Sequence, residues 1–295
     1  MRKPFGCQLV LLSDGQANVG EQRPAVLSER AAGAAHNGVT VSTLGFGLDY
    51  NLGLLGNVAE AGNGDFTHVE SLESLDRILR EEFMAAAEVT ARDVEVEIEL
   101  PEGLNAGTNL NGYRQEAATG GFKVMLGDLV RPKEFLFEVS APVRLSGDEI
   151  TIKGRATYVD ASGIQAEATG SATAAICNRK DLAGYPPDEE VLGKLLGQLP
   201  ALAEMETIVA FEAGNLEVAK RIIGMARENL RKVGDMYGDA KMEAIPDSAR
   251  RLDELASRAD QDDYDSFYLK EQYDSSRRAS KGRPTNPDAD AKSSR

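Results

Sequence analysis

An uncharged run, Cys7 to Leu12, is closed by Ser13-Asp14-Gly15, and no other stretch constrains the fold as much. A parallel strand covered on both faces reads as a continuous apolar stretch, and open α/β sheets meet their ligands at the carboxyl ends of their strands. The pattern predicts a buried strand whose tip presents Asp14. Gly15 turns the chain away, Asn18-Val19-Gly20 completes a polar loop, and Pro24 begins a helix.

The next seventy residues alternate in the same manner. Pro24 to Asn37 reads as a helix whose Ala31, Ala32, Ala34 and Ala35 permit close packing on a sheet, with Asn37-Gly38 as its stop. Val39 to Leu44 is a β-branched strand ending at Gly45-Phe46-Gly47. A short helix from Asn51 ends at Gly62-Asn63-Gly64, and Phe66 to Val69 forms a last strand. Ser71 is placed to cap a final helix with one apolar stripe (Leu72, Leu75, Ile78, Leu79, Phe83, Ala86). Such alternation implies parallel pairing with right-handed crossovers.

The run Leu9 to Gly20 resembles the fourth strand and following loop of a von Willebrand factor type A (VWA) domain of the bacterial type. Gly38 to Asn51 is similar to that family's fifth strand and its loop, and Ala59 to Phe66 to the end of the next helix and the last strand. Three signals in register over about 85 residues make the resemblance specific. It implies a partial doubly wound, Rossmann-like sheet over residues 1–90, the C-terminal half of such a domain. In the family's sheet the first strand lies between the second and the fourth, so the Cys7–Ser13 strand is expected to have an open edge. The resemblance also implies a metal-ion-dependent adhesion site built from three loops, of which only the Asp14 loop is present. The Asp-x-Ser-x-Ser and middle-loop Thr are missing. Mg²⁺ needs several oxygen ligands, so Asp14, with Ser13 as a weak addition, is expected to bind it only where the absent loops are supplied.

The period changes after residue 90. Val94, Val96, Ile98 and Leu100 alternate with Asp93, Glu95, Glu97 and Glu99, a half-buried strand closed by Pro101-Glu102-Gly103. Further alternating runs at 122–126, 134–139, 149–153, 155–159 and 172–177, separated by turn signals, predict an antiparallel β-sandwich over 91–179. A helical hairpin region follows over 188–279. Asp188 to Ala213 is expected to break or kink near Pro200, Leu216 to Leu230 forms the partner helix, and a third helix spans Asp247 to Ala259. Tyr264, Phe267, Tyr268 and Tyr273 among basic residues point to an amphipathic end-helix docked on the body, the default, or on a partner. Residues 280–295 are nearly devoid of apolar side chains and are expected to be disordered.

The chain has 295 residues and a formal net charge of −15, which excludes nucleic-acid phosphate and anionic membrane as the main partner. No apolar stretch reaches a membrane span and no signal peptide is visible, so a cytoplasmic location is the expectation. The two cysteines, Cys7 and Cys177, lie in strand-like runs and read as buried core thiols, and the two histidines, His36 and His68, as structural or solvated.

Two motifs invite other chemistry. Gly45-Phe46-Gly47-Leu48-Asp49-Tyr50 sits between a strand and a helix like a dinucleotide loop, but Tyr50 stands where the third glycine belongs. Asp260 to Glu271 has the length of a calcium loop, with Tyr264 and Asp265 where an oxygen ligand and a glycine are required. No nucleophile–base set, Walker loop or HExxH occurs. The reading is a non-enzymatic, VWA-like protein-interaction module with an unidentified protein partner and possible self-association through the Cys7–Ser13 edge. The alternatives are a nucleotide- or metal-dependent enzyme using the Gly45–Asp49 loop, and an inactive truncated protein.

Overall fold

The computed structural model describes residues 7–142, 149–177, 188–237, 247–261 and 265–281. They fall into two compact units, Met1–Leu182 and Ala183–Arg295, each considered by itself.

The first unit opens with a parallel sheet of three strands, β1 (Cys7–Ser13), β2 (Val39–Phe46) and β3 (Asn63–Val69), in that order. Helix α1 (Pro24–His36) joins β1 to β2 and α2 (Leu52–Ala61) joins β2 to β3. Pro24 occupies the first turn of α1, where its missing N–H costs nothing. Asn37 ends the helix, its side-chain amide donating to the Gly33 carbonyl at 2.7 Å. Asn51 caps α2, its carbonyl oxygen accepting from the Leu54 N–H at 2.8 Å. Ser71 does the same for α3 (Leu72–Ala87), accepting from the Ser74 N–H at 3.2 Å. One face of the sheet is closed by Ala31, Val41, Leu54 and Val58, and the other by Leu44, Val69 and Ile78 with Val10 packed beside them. Leu72, the first residue of the expected apolar stripe, is 70% exposed, whereas Leu75 and Leu79 of the same stripe pack on the sheet.

The antiparallel part is a five-stranded sheet in the order β10-β9-β4-β7-β6 faced by the pair β5-β8. These strands are β4 (Ala91–Glu99), β5 (Asn105–Asn109), β6 (Arg114–Ala118), β7 (Gly121–Leu129), β8 (Phe137–Ser140), β9 (Glu149–Asp160) and β10 (Gln165–Ala175). Val94, Ile98, Tyr113, Phe122, Val124 and Leu126 form the core, with Phe135 and Phe137 packed on it. Phe137 meets Phe122 edge-on at 5.1 Å. Gly121 pairs with Glu99, and a Cβ there would collide with the Ile98 carbonyl oxygen, so β4 and β7 approach more closely than any side chain permits.

Two expectations change here. The runs 149–153 and 155–159 form one strand, because Gly154 continues the ladder opposite Gly170 instead of ending it. The run 172–177 belongs to a longer strand, Gln165–Ala175, set by a turn in which the Asp160 carboxylate accepts from the N–H groups of Ser162 and Ile164, both at 2.9 Å.

The second unit is helical: α4 (Glu189–Glu212), α5 (Leu216–Tyr237), α6 (Asp247–Gln261) and α7 (Ser266–Ser280). Asp188 caps α4, accepting from the N–H groups of Glu190 and Val191. Of the break or kink expected near Pro200, the break does not occur: the helix runs on through it. Pro200 is buried with Gln198 and Ala201, and that packing offsets the lost backbone hydrogen bond. Helix α4 contacts all three of the others, with Leu192 and Leu196 meeting Leu230 and Val233 of α5.

Helix α7 departs most from its composition. Lys270, Asp274, Ser275, Ser276, Arg277 and Ser280 are all buried. Several of their polar atoms are matched from within the unit: Ser276 Oγ donates to the Glu204 carboxylate, and Arg251 Nε donates to the same group at 3.1 Å. Lys270 pairs with Glu212 at 3.5 Å, Arg278 with Asp274 at 3.0 Å, and Gln198 Nε2 donates to the Ser280 carbonyl at 3.2 Å. The Arg258 guanidinium lies 4.0 Å from the centre of the Tyr268 ring. The docked end-helix is thus present. Ser280, expected to begin a disordered tail, ends it instead, and residues 282–295 lie outside the described residues.

Candidate functional site at the carboxyl end of the parallel sheet

Strand β1 delivers Ser13 and Asp14 to the rim where a doubly wound sheet meets ligands. Asp14 is exposed, as is the loop through Gly20, apart from half-exposed Gly15. The Ser13 hydroxyl donates to the Gly15 carbonyl at 3.0 Å and so is engaged within its own turn. Gln16 Nε2 donates to the Asp49 carbonyl at 2.7 Å, tying the loop after β1 to the loop after β2.

Behind that rim the sheet end is filled. Gly45 stands where a Cβ would lie 2.5 Å from the Tyr50 ring, so only glycine lets the tyrosine fold back over β2. Tyr50 and His68 are both buried, and the phenol oxygen lies 2.9 Å from His68 Nδ1. Phe66 packs on the same ring with centroids 6.0 Å apart. Tyr50 thus packs over Gly45 at the strand end, and its contact with His68, 18 residues apart in sequence, carried no local signal. His36, by contrast, is exposed.

Among the described residues no group of three or more His, Cys, Asp or Glu side chains converges as metal ligands. Asp14 with an already bonded Ser13 hydroxyl does not fit Mg²⁺, which demands near-octahedral oxygen coordination.

The other prominent feature of this unit is β1 itself. It pairs in parallel with β2 from Cys7↔Val39 to Ser13↔Gly45, and among the described residues its second edge carries no strand. Leu9, Leu11 and Leu12 are 51%, 42% and 50% exposed. Leu9 and Leu11 prolong the face that buries Val41, and Leu12 the face that buries Leu44. The expectation of buried thiols is corrected by the same geometry: Cys7 lies on this edge and is exposed, and Cys177, beyond the end of β10, is half-buried.

No protein-family profile matches the chain. Over 94 residues it is 30% identical to the uncharacterized protein YfbK of Escherichia coli (strain K12), a match covering 32% of this chain and 16% of YfbK. Its fold is similar to a von Willebrand factor type A protein from Catenulispora acidiphila (TM-score 0.60, 20% identity, 77% of this chain and 55% of that one). It is also similar to VWA2, the ArnB paralog from Sulfolobus acidocaldarius (TM-score 0.55, 17% identity, 94% and 64%). The human COPII-coat protein Sec24c shares the fold more distantly (TM-score 0.52, 8% identity, 93% and 40%). The chain has the fold of VWA-domain-containing proteins, an α/β sheet followed by antiparallel and helical parts. It spans only part of the length of each of these relatives. No helix among the described residues is long and apolar enough to cross a membrane.

Proposed function

We propose that this chain is a non-enzymatic protein-interaction module that engages a protein partner through the β1 edge and the adjoining Asp14 rim. The observation that carries this reading is the exposure of Leu9, Leu11 and Leu12 on an uncharged strand whose second edge, among the described residues, carries no strand, since soluble proteins rarely leave such an edge bare unless it pairs with something. The VWA fold supports the same class of function. Mg²⁺ enters the reading only where a further segment or polypeptide brings oxygen ligands to Asp14. The nucleotide alternative loses support from the Tyr50 ring against Gly45.

The test is the full chain with Leu9 and Leu11 both changed to lysine. It is expected to keep its far-UV circular dichroism while losing most binding of an apolar-surface dye. Unchanged dye binding overturns the reading. In thermal-shift measurements, nucleotides are expected to leave the melting temperature in place, and stabilisation by ATP or NAD would favour the enzyme instead.

A further inference from the structure

Helix α7 is held differently from the other helices of its unit. Helices α4, α5 and α6 pack on one another, whereas α7 packs chiefly on α4. The apolar cluster Leu192, Leu196, Leu230 and Val233 joins α4 to α5 without it. Much of what α7 buries is polar or charged, and buried charged pairs add less net stability than apolar packing of the same volume. An element with one main neighbour and a polar contact surface belongs to the part of a fold that opens most easily. At the centre of that surface stands Glu204 of α4, fully buried. Its carboxyl accepts from Ser276 Oγ of α7 and from Arg251 Nε of α6, so a single group ties both helices to α4.

We propose that α7 is a strap latched through the neutral Glu204 carboxyl, and that it opens locally, ahead of α4, α5 and α6, once that carboxyl ionises. Burial acts most strongly on the group and favours its neutral form, as does the nearby Glu254 of α6; Arg251 and Ser276 oppose them, and the proton stays bound up to about 7. Tyr268 of α7, with the Arg258 guanidinium over its ring, faces the same charge. The α5 cations Arg227 and Arg231 are engaged elsewhere, with Asp253 and Glu228. A neutral carboxyl keeps its bond to the Ser276 hydroxyl, which both donates and accepts. Lifting α7 breaks that bond and admits water to Glu204, leaving Arg251 beside it, so in the open form the carboxyl ionises near or below its ordinary 4.5. The proton is thus a ligand of the closed form. Opening becomes easier as pH rises from about 4.5 through about 7 and then levels off, a change of roughly 70-fold in the opening constant between pH 5 and 8.

Hydrogen–deuterium exchange of the full chain, read by mass spectrometry at pH 5 and pH 8 and corrected for the intrinsic rate at each pH, follows the strap directly. Amides of Ser266–Ser280 are expected to lose roughly 70-fold in protection from pH 5 to pH 8. At pH 8 they are expected to be at least tenfold less protected than the slowest amides of α4 and α5, the mark of an opening that leaves those helices in place. Glu204→Gln, which keeps a neutral group at this position, is expected to abolish the pH dependence of α7. Ser276→Ala, which removes the α7 side of the latch, is expected to lower α7 protection already at pH 5. Equal α7 protection at the two pH values overturns the proposal. So does α7 exchanging at pH 8 no faster than α4 and α5, which would show that it leaves only when the whole unit unfolds. A pH dependence retained in Glu204→Gln overturns it too, and the two wild-type comparisons decide the matter even where that variant does not fold.

Discussion

Strand β1 and helix α7 invert the usual relation between composition and burial. The strand Cys-Gln-Leu-Val-Leu-Leu-Ser holds no charge and lies exposed, while α7, with lysine, arginine and aspartate, lies almost wholly inside its unit. The difference comes from neighbours. Helix α7 has α4 against it, supplying Glu204, Glu212 and Gln198 where its polar atoms need partners. On its open side β1 has, among the described residues, no strand to accept its N–H groups or cover its leucines. Burial is thus decided by what an element is offered; composition sets only what burial costs.

Mutations that separate these two cases follow in order of size. Leu269→Ala, at a buried position of α7, is expected to lower the stability of the helical unit by about 3 kcal/mol through transfer and cavity costs, read from urea unfolding followed by circular dichroism. Lys270→Ala leaves Glu212 without the cation 3.5 Å away and is expected to cost about 2 kcal/mol or more, whereas the reverse change on the strand, Leu11→Lys, is expected to leave stability nearly unaltered. A result in which both lysine changes cost the same would erase the contrast.

The pH response comes next. Burial pushes the Glu204 carboxyl up from an ordinary 4.5 to about 7, against the opposing pull of Arg251 and the Ser276 hydroxyl. Between those values the folded unit holds a proton that the unfolded chain releases. Stability is therefore greatest below about 4.5, falls as pH rises through about 7, and then levels off. Thermal melts between pH 5 and 8 are expected to show this decline as on the order of 2 kcal/mol, and Glu204→Gln is expected to flatten it. A similarly small effect, below about 1 kcal/mol, is expected from Leu11→Ala, because that side chain is already 42% exposed.

Much of the parallel sheet was legible because its signals are local. An uncharged run, a proline at a first turn and an Asn-Gly stop each act within a few residues, and they locate β1, α1 and β2 to within about two positions of the structure. Strands β5 and β6 were not legible. Asn105–Asn109 and Arg114–Ala118 have no apolar alternation, and they are held by their ladders to β8 and β7. At the candidate site, Asp14 could be placed at a strand tip from the apolar run alone. The Tyr50–His68 contact could not, since it depends on a glycine in one strand admitting a ring from the following loop. The burial of α7 escaped for a related reason: its polar residues look solvated until the complementary groups on α4 and α6 are known.

Gly121 has a consequence for how this molecule can change over time. The Ile98 carbonyl occupies the volume any larger residue would need, so the position tolerates no drift: substitution must prise two central strands apart at their common end. Variation in the antiparallel half is therefore expected to accumulate around that point while leaving it untouched, and a library of random variants selected only for solubility should return glycine there almost without exception.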